Sequence, residues 1–221
     1  MKKTELNQNI CLSERNTKSA ETDDTMFLTW SLPSKITCPY ATELCSKKCF
    51  AKKNESFKRT RESRSKNLTE TYKDTFVADM IKHFEYHLQR PKAQDKLIIV
   101  RIHTSGDFYN FEYFLKWVDI AEHFKNNKNI LFQAYTKSMP ILNQYKDIEN
   151  INIHLVWSIW HDTPVEYNNL ACKMNLQTFT ALPKDEIDLA VKNGAFLCNG
   201  NCGDCKECYT GKSKQIVIPY H

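Results

Sequence analysis

Seven of the chain's nine cysteines fall in two tight groups. Cys38, Cys45 and Cys49 form C-x6-C-x3-C, and Cys198, Cys202, Cys205 and Cys208 form C-x3-C-x2-C-x2-C. In a reducing compartment, thiols clustered in this way are metal ligands before they are disulfides. Three cysteines in one loop would hold a 4Fe–4S cluster with one iron lacking a protein ligand, an open position for a substrate or cofactor. Zinc with a fourth ligand from elsewhere is the competing reading. The second group brings four thiols of its own and makes a closed site, either a second 4Fe–4S cluster or a structural zinc. Gly200 and Gly203 permit the tight turns this needs. Of the remaining two, Cys11 lies in a polar segment, and Cys172, in NNLACKMN, reads as a buried structural thiol on a helix.

The elements that must position these groups alternate. Residues 1–25 are polar and without periodicity, and predict a flexible tail. MFLTWSLP (26–33) reads as a strand closed by proline, and the first cysteine loop follows it. Leu68, Tyr72, Phe76, Met80, Phe84 and Leu88 recur every four residues, predicting one helix from Ser56 to about Arg90. LIIVRIHTSGDF (97–108) is a nearly continuous apolar run, typical of a strand buried on both faces. A helix over 111–124, a strand over 129–138 and a short helix from Pro140 follow. Then come strands over 151–160 and 176–183, with helices over 166–174 and 184–192. This is the pattern of a parallel α/β domain, as an open sheet or a barrel, spanning 26–195 and followed by a cysteine-rich segment, 196–221.

In such folds chemistry gathers at the C-terminal ends of the strands. Those ends are Thr37-Cys38-Pro39, His103 to Asp107 (with Ser105 and Gly106), Tyr135 to Ser138 (with Lys137), Ser158 to Asp162 (with His161), and Thr180-Ala181. One rim thus collects a cysteine triad, a carboxylate, a lysine and several hydroxyls. For Asp107 the competing role is a cap on the helix that begins near Tyr109.

The 221 residues are 41 % hydrophobic and 12 % aromatic, enough for a sizeable core. No apolar run approaches the roughly 18 residues of a membrane span. The start, MKKTELNQNICLSERN, has no apolar stretch after its lysines, so the expectation is a cytoplasmic protein with no membrane partner. Five glycines leave little room for phosphate-cradling loops. The net charge of +5 is mild and comes largely from Lys47 to Arg64. The basic stretch Lys47–Lys66, interleaved with Phe50 and Phe57, reads either as a nucleic-acid surface or as a solvated helix start.

TWSLPSKITCPYATELCSKKCFAKK, VRIHTSGDFYNFEYFLKWVDIA, FQAYTKS and a cysteine-rich end finishing IPYH together resemble the phage gene-product-88 family, from about Thr29 to the C-terminus. That resemblance implies a phage protein in the host cytoplasm. More distantly, Cys49-Phe50-Ala51, Ser-Gly-Asp after the second strand and Thr-Lys-Ser after the third resemble radical SAM iron–sulfur enzymes. This implies a partial (β/α)6, TIM-like barrel and a 4Fe–4S cluster on Cys38, Cys45 and Cys49. It also implies S-adenosylmethionine as cofactor, held through Ser105, Gly106 and Asp107, with Lys137 and His161 facing the substrate. The chain departs from that pattern in its C-x6-C-x3-C spacing and in Lys48, which stands where those enzymes place an aromatic residue. The alternative is a non-enzymatic, metal-braced phage protein that binds a host nucleic acid or protein.

Overall fold

The computed structural model describes residues 3–14 and 21–220. Its framework is a seven-stranded, all-parallel sheet: β1 (Thr25–Ser31), β2 (Leu97–Ser105), β3 (Ile130–Thr136), β4 (His154–Ile159), β5 (Gln177–Leu182), β6 (Phe196–Leu197) and β7 (Gln215–Pro219). The spatial order is β1-β2-β3-β4-β5-β7-β6. Five consecutive strands lie side by side in chain order. Because parallel crossovers are right-handed, such winding places the connecting helices on one face.

That face holds the main core. Met26, Leu28 and Trp30 of β1, Ile98, Val100 and Ile102 of β2, and Ile130, Phe132 and Ala134 of β3 pack under α4 (Phe76–Leu88) and α5 (Phe111–His123). Trp30, Phe76 and Trp117 meet with ring centroids 5.7–6.1 Å apart. Each such fully buried side chain contributes roughly 1.5–3 kcal/mol through the area it removes from water.

The expected barrel does not close: the sheet is open. The outer edge of β1 is occupied instead by the N-terminal segment, where Ser13 and Thr29 exchange both backbone hydrogen bonds, at 3.0 and 2.7 Å. Residues 3–14, expected as a tail, are therefore packed. Leu6 and Ile10 are buried, Asn7 donates to Glu70 and Asp79 (2.8 and 2.9 Å), and the Cys11 N–H reaches Asn67 Oδ1 at 2.8 Å. Residues 1–2 and 15–20 of the expected tail lie outside the described residues. At the other edge, β7 comes from the cysteine-rich segment and lies between β5 and β6.

The single helix expected over 56–90 is two, α3 (Lys58–Thr71) and α4. A spacing of four drifts by about 40° per step on a helix of 3.6 residues per turn. One straight helix could not keep Leu68 through Leu88 on one side. The chain breaks at 72–75, leaves Tyr72 exposed, and restarts with Phe76 and Met80 in the core.

The face of the sheet without these helices carries Phe27, Ile99 and Leu131, covered by Tyr209 and Cys202 of the C-terminal segment. Strand alternation would put His103 on this face as well. A bulge prevents it: Thr29 pairs with Arg101, but Ser31 pairs with Ser105. With φ 65°, His103 turns its ring among Phe108 and Tyr113 of the helix side. Trp30 Nε1–H donates to the Tyr113 oxygen (2.9 Å), which also shares a hydrogen bond with His103 Nε2 (2.9 Å). Burial holds the His103 imidazole neutral, pushed down to about 3.

Candidate functional site

The loop after β1 is tied down at each step. Leu32 N–H bonds the Ser105 carbonyl (2.8 Å), Thr37 Oγ1 bonds the Pro33 carbonyl (2.7 Å), and Asp107 N–H bonds the Thr37 carbonyl (3.0 Å). Gly106, at φ 85°, lies against this loop: a Cβ there would sit 2.6 Å from Thr37 Oγ1 and 2.7 Å from Leu32 Cβ. Its smallness serves the chain's own packing here, where a ligand's approach was expected.

Cys38 leaves this anchored turn. Cys45 lies in α1 (Glu43–Lys47), whose N-cap Thr42 accepts from the Cys45 N–H at 3.2 Å, and Cys49 stands at the N-cap position of α2 (Phe50–Asn54) without a side-chain capping bond. Asp162, after β4, accepts from the Leu44 N–H at 2.6 Å and so pins the start of α1 to the rim. The three thiols come within electrostatic range of one another. Burial, the Asp107 carboxylate, Cys45 and Cys49 push the Cys38 thiol up to about 12. The Cys45 thiol is also raised, by burial first and then by Cys49, Asp107 and Asp162, with Lys137 opposing.

Asp107 is buried and accepts three hydrogen bonds. Its Oδ1 accepts from Thr136 Oγ1 (2.7 Å) and the Phe108 N–H (2.8 Å), and its Oδ2 accepts from the Lys137 N–H (2.7 Å). Burial outweighs these bonds and raises its carboxyl to about 6. It does not cap α5; Asn110 does, accepting from the Tyr113 N–H at 2.8 Å. Lys137 is buried with its Nζ on the Ser158 carbonyl (2.7 Å), and burial lowers it to about 8 against the pull of Cys45, Asp107 and Asp162. Ser105 is buried behind the triad loop, and its hydroxyl has no hydrogen-bond partner among the described residues.

His161 stands apart from this group. It is half exposed and pairs with Glu186 at 3.1 Å beside the Tyr220 ring. The neighbouring Asp162, not His161, faces the triad loop. The two side chains are one residue apart past a strand end, and sequence alone gives no rule for choosing between them.

The second group folds over the helix-free face through α9 (Cys202–Cys205) and α10 (Glu207–Thr210). Its floor is Phe27, Arg101, Gln133 and Tyr135. Gln133 Nε2 donates to the Cys208 carbonyl, Gln177 Nε2 to the Glu207 carbonyl (3.0 Å), and the Tyr209 hydroxyl to the Cys202 carbonyl (3.1 Å). The Arg101 guanidinium lies 4.7 Å over the Tyr135 ring. Burial, with Cys198, Cys202 and Cys205 nearby, pushes the Cys208 thiol up to about 12, while Tyr135 opposes this. Arg101 and Gln133 were missed, and Tyr135 was read as part of the rim with no link to this group. Their signal is a polar residue amid a strand's apolar run, on the side that alternation assigns away from the helices. Tyr135 and Lys137, about 7 Å apart along an extended chain, link the two cysteine groups through β3.

Cys172, expected to be buried, is exposed. Helix α7 (Val165–Lys173), the next after the short α6 (Met139–Leu142), buries only Ala171, and the following position is turned about 100° round the helix. Among the described residues, no three histidine, cysteine or acidic side chains converge as ligands of one metal ion. The donor chemistry nevertheless fits a soft metal or an iron–sulfur cluster. In each group neighbouring thiols help to raise one member, Cys38 in the first and Cys208 in the second, and a bound cation would oppose that effect.

The family model described as "Gene product 88" matches residues 4–211. The "Gene 88 protein" of Mycobacterium phage L5 is 31 % identical over 111 residues, and that of Mycobacterium phage D29 is 30 % identical over 111 residues. Each match covers 46 % of this chain and 43 % of the relative, so the chain spans less than half the length of either curated relative. Neither these relatives nor the family model is described as a radical SAM enzyme. No solved structure matches the chain. Among the described residues, no helix is long and apolar enough to cross a membrane.

Proposed function

The chain belongs to the gene product 88 family of phage proteins, and from the arrangement of its thiols we propose that it is an iron–sulfur protein of radical-SAM-like build. In this reading Cys38, Cys45 and Cys49 hold a 4Fe–4S cluster with one open iron. Cys198, Cys202, Cys205 and Cys208 hold a second, closed metal centre. When bound, the first cluster supplies single electrons and a coordination position for S-adenosylmethionine.

The observation that carries the reading is the place of the triad. The three thiols of one loop, near enough for charge on one to act on the others, sit beside Lys137 and Asp107, where β2 and β3 end in a sheet whose first five strands run in chain order. Such edges are where parallel sheets carry chemistry. Asp107 locks the ends of β2 and β3 to the triad loop. Lys137, held by the Ser158 carbonyl, sets a cation beside Cys45 that offsets thiolate charge.

One observation favours a second reading. The Asp107 carboxylate already accepts three hydrogen bonds, which suits a positioning role better than capture of a ligand's amino group. On that reading the metals, zinc included, brace a non-enzymatic protein that binds a host target.

The test is protein purified without oxygen and analysed for iron, zinc and acid-labile sulfide, then reduced with S-adenosylmethionine present. The proposal expects iron and sulfide, lost from the triad in Cys45→Ala, and release of 5′-deoxyadenosine. Stoichiometric zinc without iron overturns the cluster. Iron without 5′-deoxyadenosine leaves the second reading.

A further inference from the structure

We propose that the surface built by residues 35–66, next to the cysteine triad, binds single-stranded nucleic acid. This deepens the reading above by naming the substrate class, and it rests on that reading only for placing the strand at a reactive centre; the binding itself needs no metal.

The first observation is charge. Residues 35–66 carry ten lysines and arginines against three glutamates, a net +7 in a chain whose formal charge is +5, so the rest of the chain is net negative. The glutamates are engaged locally: Glu55 by Arg64 and Ser34, Glu43 by Lys47, and Glu62 by Lys58. Lys48, Lys52, Lys53 and Arg59 are exposed and have no carboxylate within 4 Å among the described residues. A patch of one sign on an otherwise acidic chain is the footprint of a polyanion partner.

The second observation is that this charge opposes the local structure. Helix α3 runs 14 residues, yet no acidic residue lies in its first turn and its N-cap, Phe57, offers no side-chain acceptor. Lys58, Arg59 and Arg61 stand there instead. A helix N-terminus is the positive end of the macrodipole, so cations at this position work against the helix and favour an anion outside it.

The third observation is the pair of exposed rings. Phe50 is 58 % exposed and Phe57 67 %, although both are large and apolar. They bracket α2, one at its start and one just past its end, and Phe50 directly follows Cys49. Bare rings among lysines are the stacking platforms of single-strand binders, because an unpaired base offers its π-face whatever its identity. A duplex hides those faces. An anionic membrane would take an amphipathic helix, but α3 (KRTRESRSKNLTET) has Leu68 as its single large apolar side chain.

The experiment uses the full chain and fluorescence anisotropy with a labelled single-stranded DNA of about 20 nucleotides, a few site lengths, its matched duplex, and anionic phospholipid vesicles. The single strand should bind more tightly than the duplex, with log K falling against log salt at a slope of about −3 for four to five phosphate contacts. Lys52→Glu with Lys53→Glu should weaken binding at least tenfold and flatten the slope. Phe50→Ala with Phe57→Ala should weaken it about tenfold at an unchanged slope. Lys184→Glu with Lys192→Glu, exposed on α8 (Lys184–Lys192), should leave it unchanged. Thermal unfolding of every variant should match the parent, since all six side chains are exposed. No binding at low salt, equal or tighter duplex binding, vesicle binding in place of the strand, or indifference to the two phenylalanines would each overturn the proposal. Cys45→Ala separates the two failures: strand binding should persist where the cluster is lost.

Discussion

Replacing Arg64 with methionine tests the clamp that holds the triad loop. Arg64 is buried on α3, and its Nη1 donates to Glu55 Oε1 at 2.8 Å and to the Ala51 carbonyl at 3.1 Å. Glu55 in turn accepts from the Ser34 N–H (2.6 Å) and the Ser34 hydroxyl (2.7 Å), four residues before Cys38. Burial tends to raise the Glu55 carboxyl; the Ser34 and Arg64 bonds outweigh it and lower it. The Arg64→Met change keeps most of the packed volume and removes two charge-assisted hydrogen bonds. It leaves the Glu55 carboxylate, whose side chain is 20 % exposed, without its cation. Breaking a fully buried pair costs about 3–5 kcal/mol. The partial exposure of Glu55 admits water, so about 2–4 kcal/mol is expected here. For a chain of this length that lowers Tm by roughly 5–15 °C.

Glu55→Gln isolates the charge. The amide oxygen still accepts from Ser34 N–H and Arg64, and the amide NH2 donates to the Ser34 hydroxyl, so a smaller loss of about 1–2 kcal/mol is expected. The two changes together should cost less than their sum, by about 1 kcal/mol or more. The assay is urea unfolding of both single variants and the double variant, with iron retention measured alongside. A loss below about 0.5 kcal/mol for Arg64→Met, or strict additivity, refutes the clamp.

Gly106→Ala forces a Cβ to within 2.7 Å of both Thr37 and Leu32 at a positive φ; a loss of about 2 kcal/mol or more in urea unfolding, with accelerated proteolysis near Thr37, is expected. For His87, burial first, then the electrostatic effects of Arg90, His83 and Lys3, hold the folded pKa down to about 4, and the nearby Glu14 carboxylate is engaged by Arg90 and Lys92. The unfolded chain takes up this proton near pH 6.5, so His87 contributes stability above that pH, lost at about 1.4 kcal/mol per unit as pH falls toward 4. His87→Gln should therefore shrink the fall in urea stability between pH 7.5 and 4.5 by about 2–3 kcal/mol, and an unchanged fall would show that His87 titrates normally in the folded chain.

Much of the architecture was legible because its causes are local. Continuous apolar runs such as LIIV and ILF mark strands buried on both faces, and helices between them make those strands parallel. The polar residues past each run marked the rim, and the cysteine spacings marked the two segments that carry most of the thiols. Other features depended on residues distant in sequence. Ser13 takes the edge of β1 across sixteen positions, and the sheet stays open. β7 was not anticipated; its place between β5 and β6 is fixed by pairing, with Thr178 opposite Gln215 and Phe196 opposite Ile216. The bulge before Ser105 sends His103 to the helix side, which alternation alone would forbid. Asp107 was legible as a carboxylate at a strand end. That Thr136 and Lys137, about thirty residues on, would take up its lone pairs was decided only when β2 and β3 came side by side. A sequence states which groups its strands and turns deliver to an edge. Which of them remain available for a ligand depends on the hydrogen bonds that neighbouring strand ends make with one another, and those exist only in the assembled sheet.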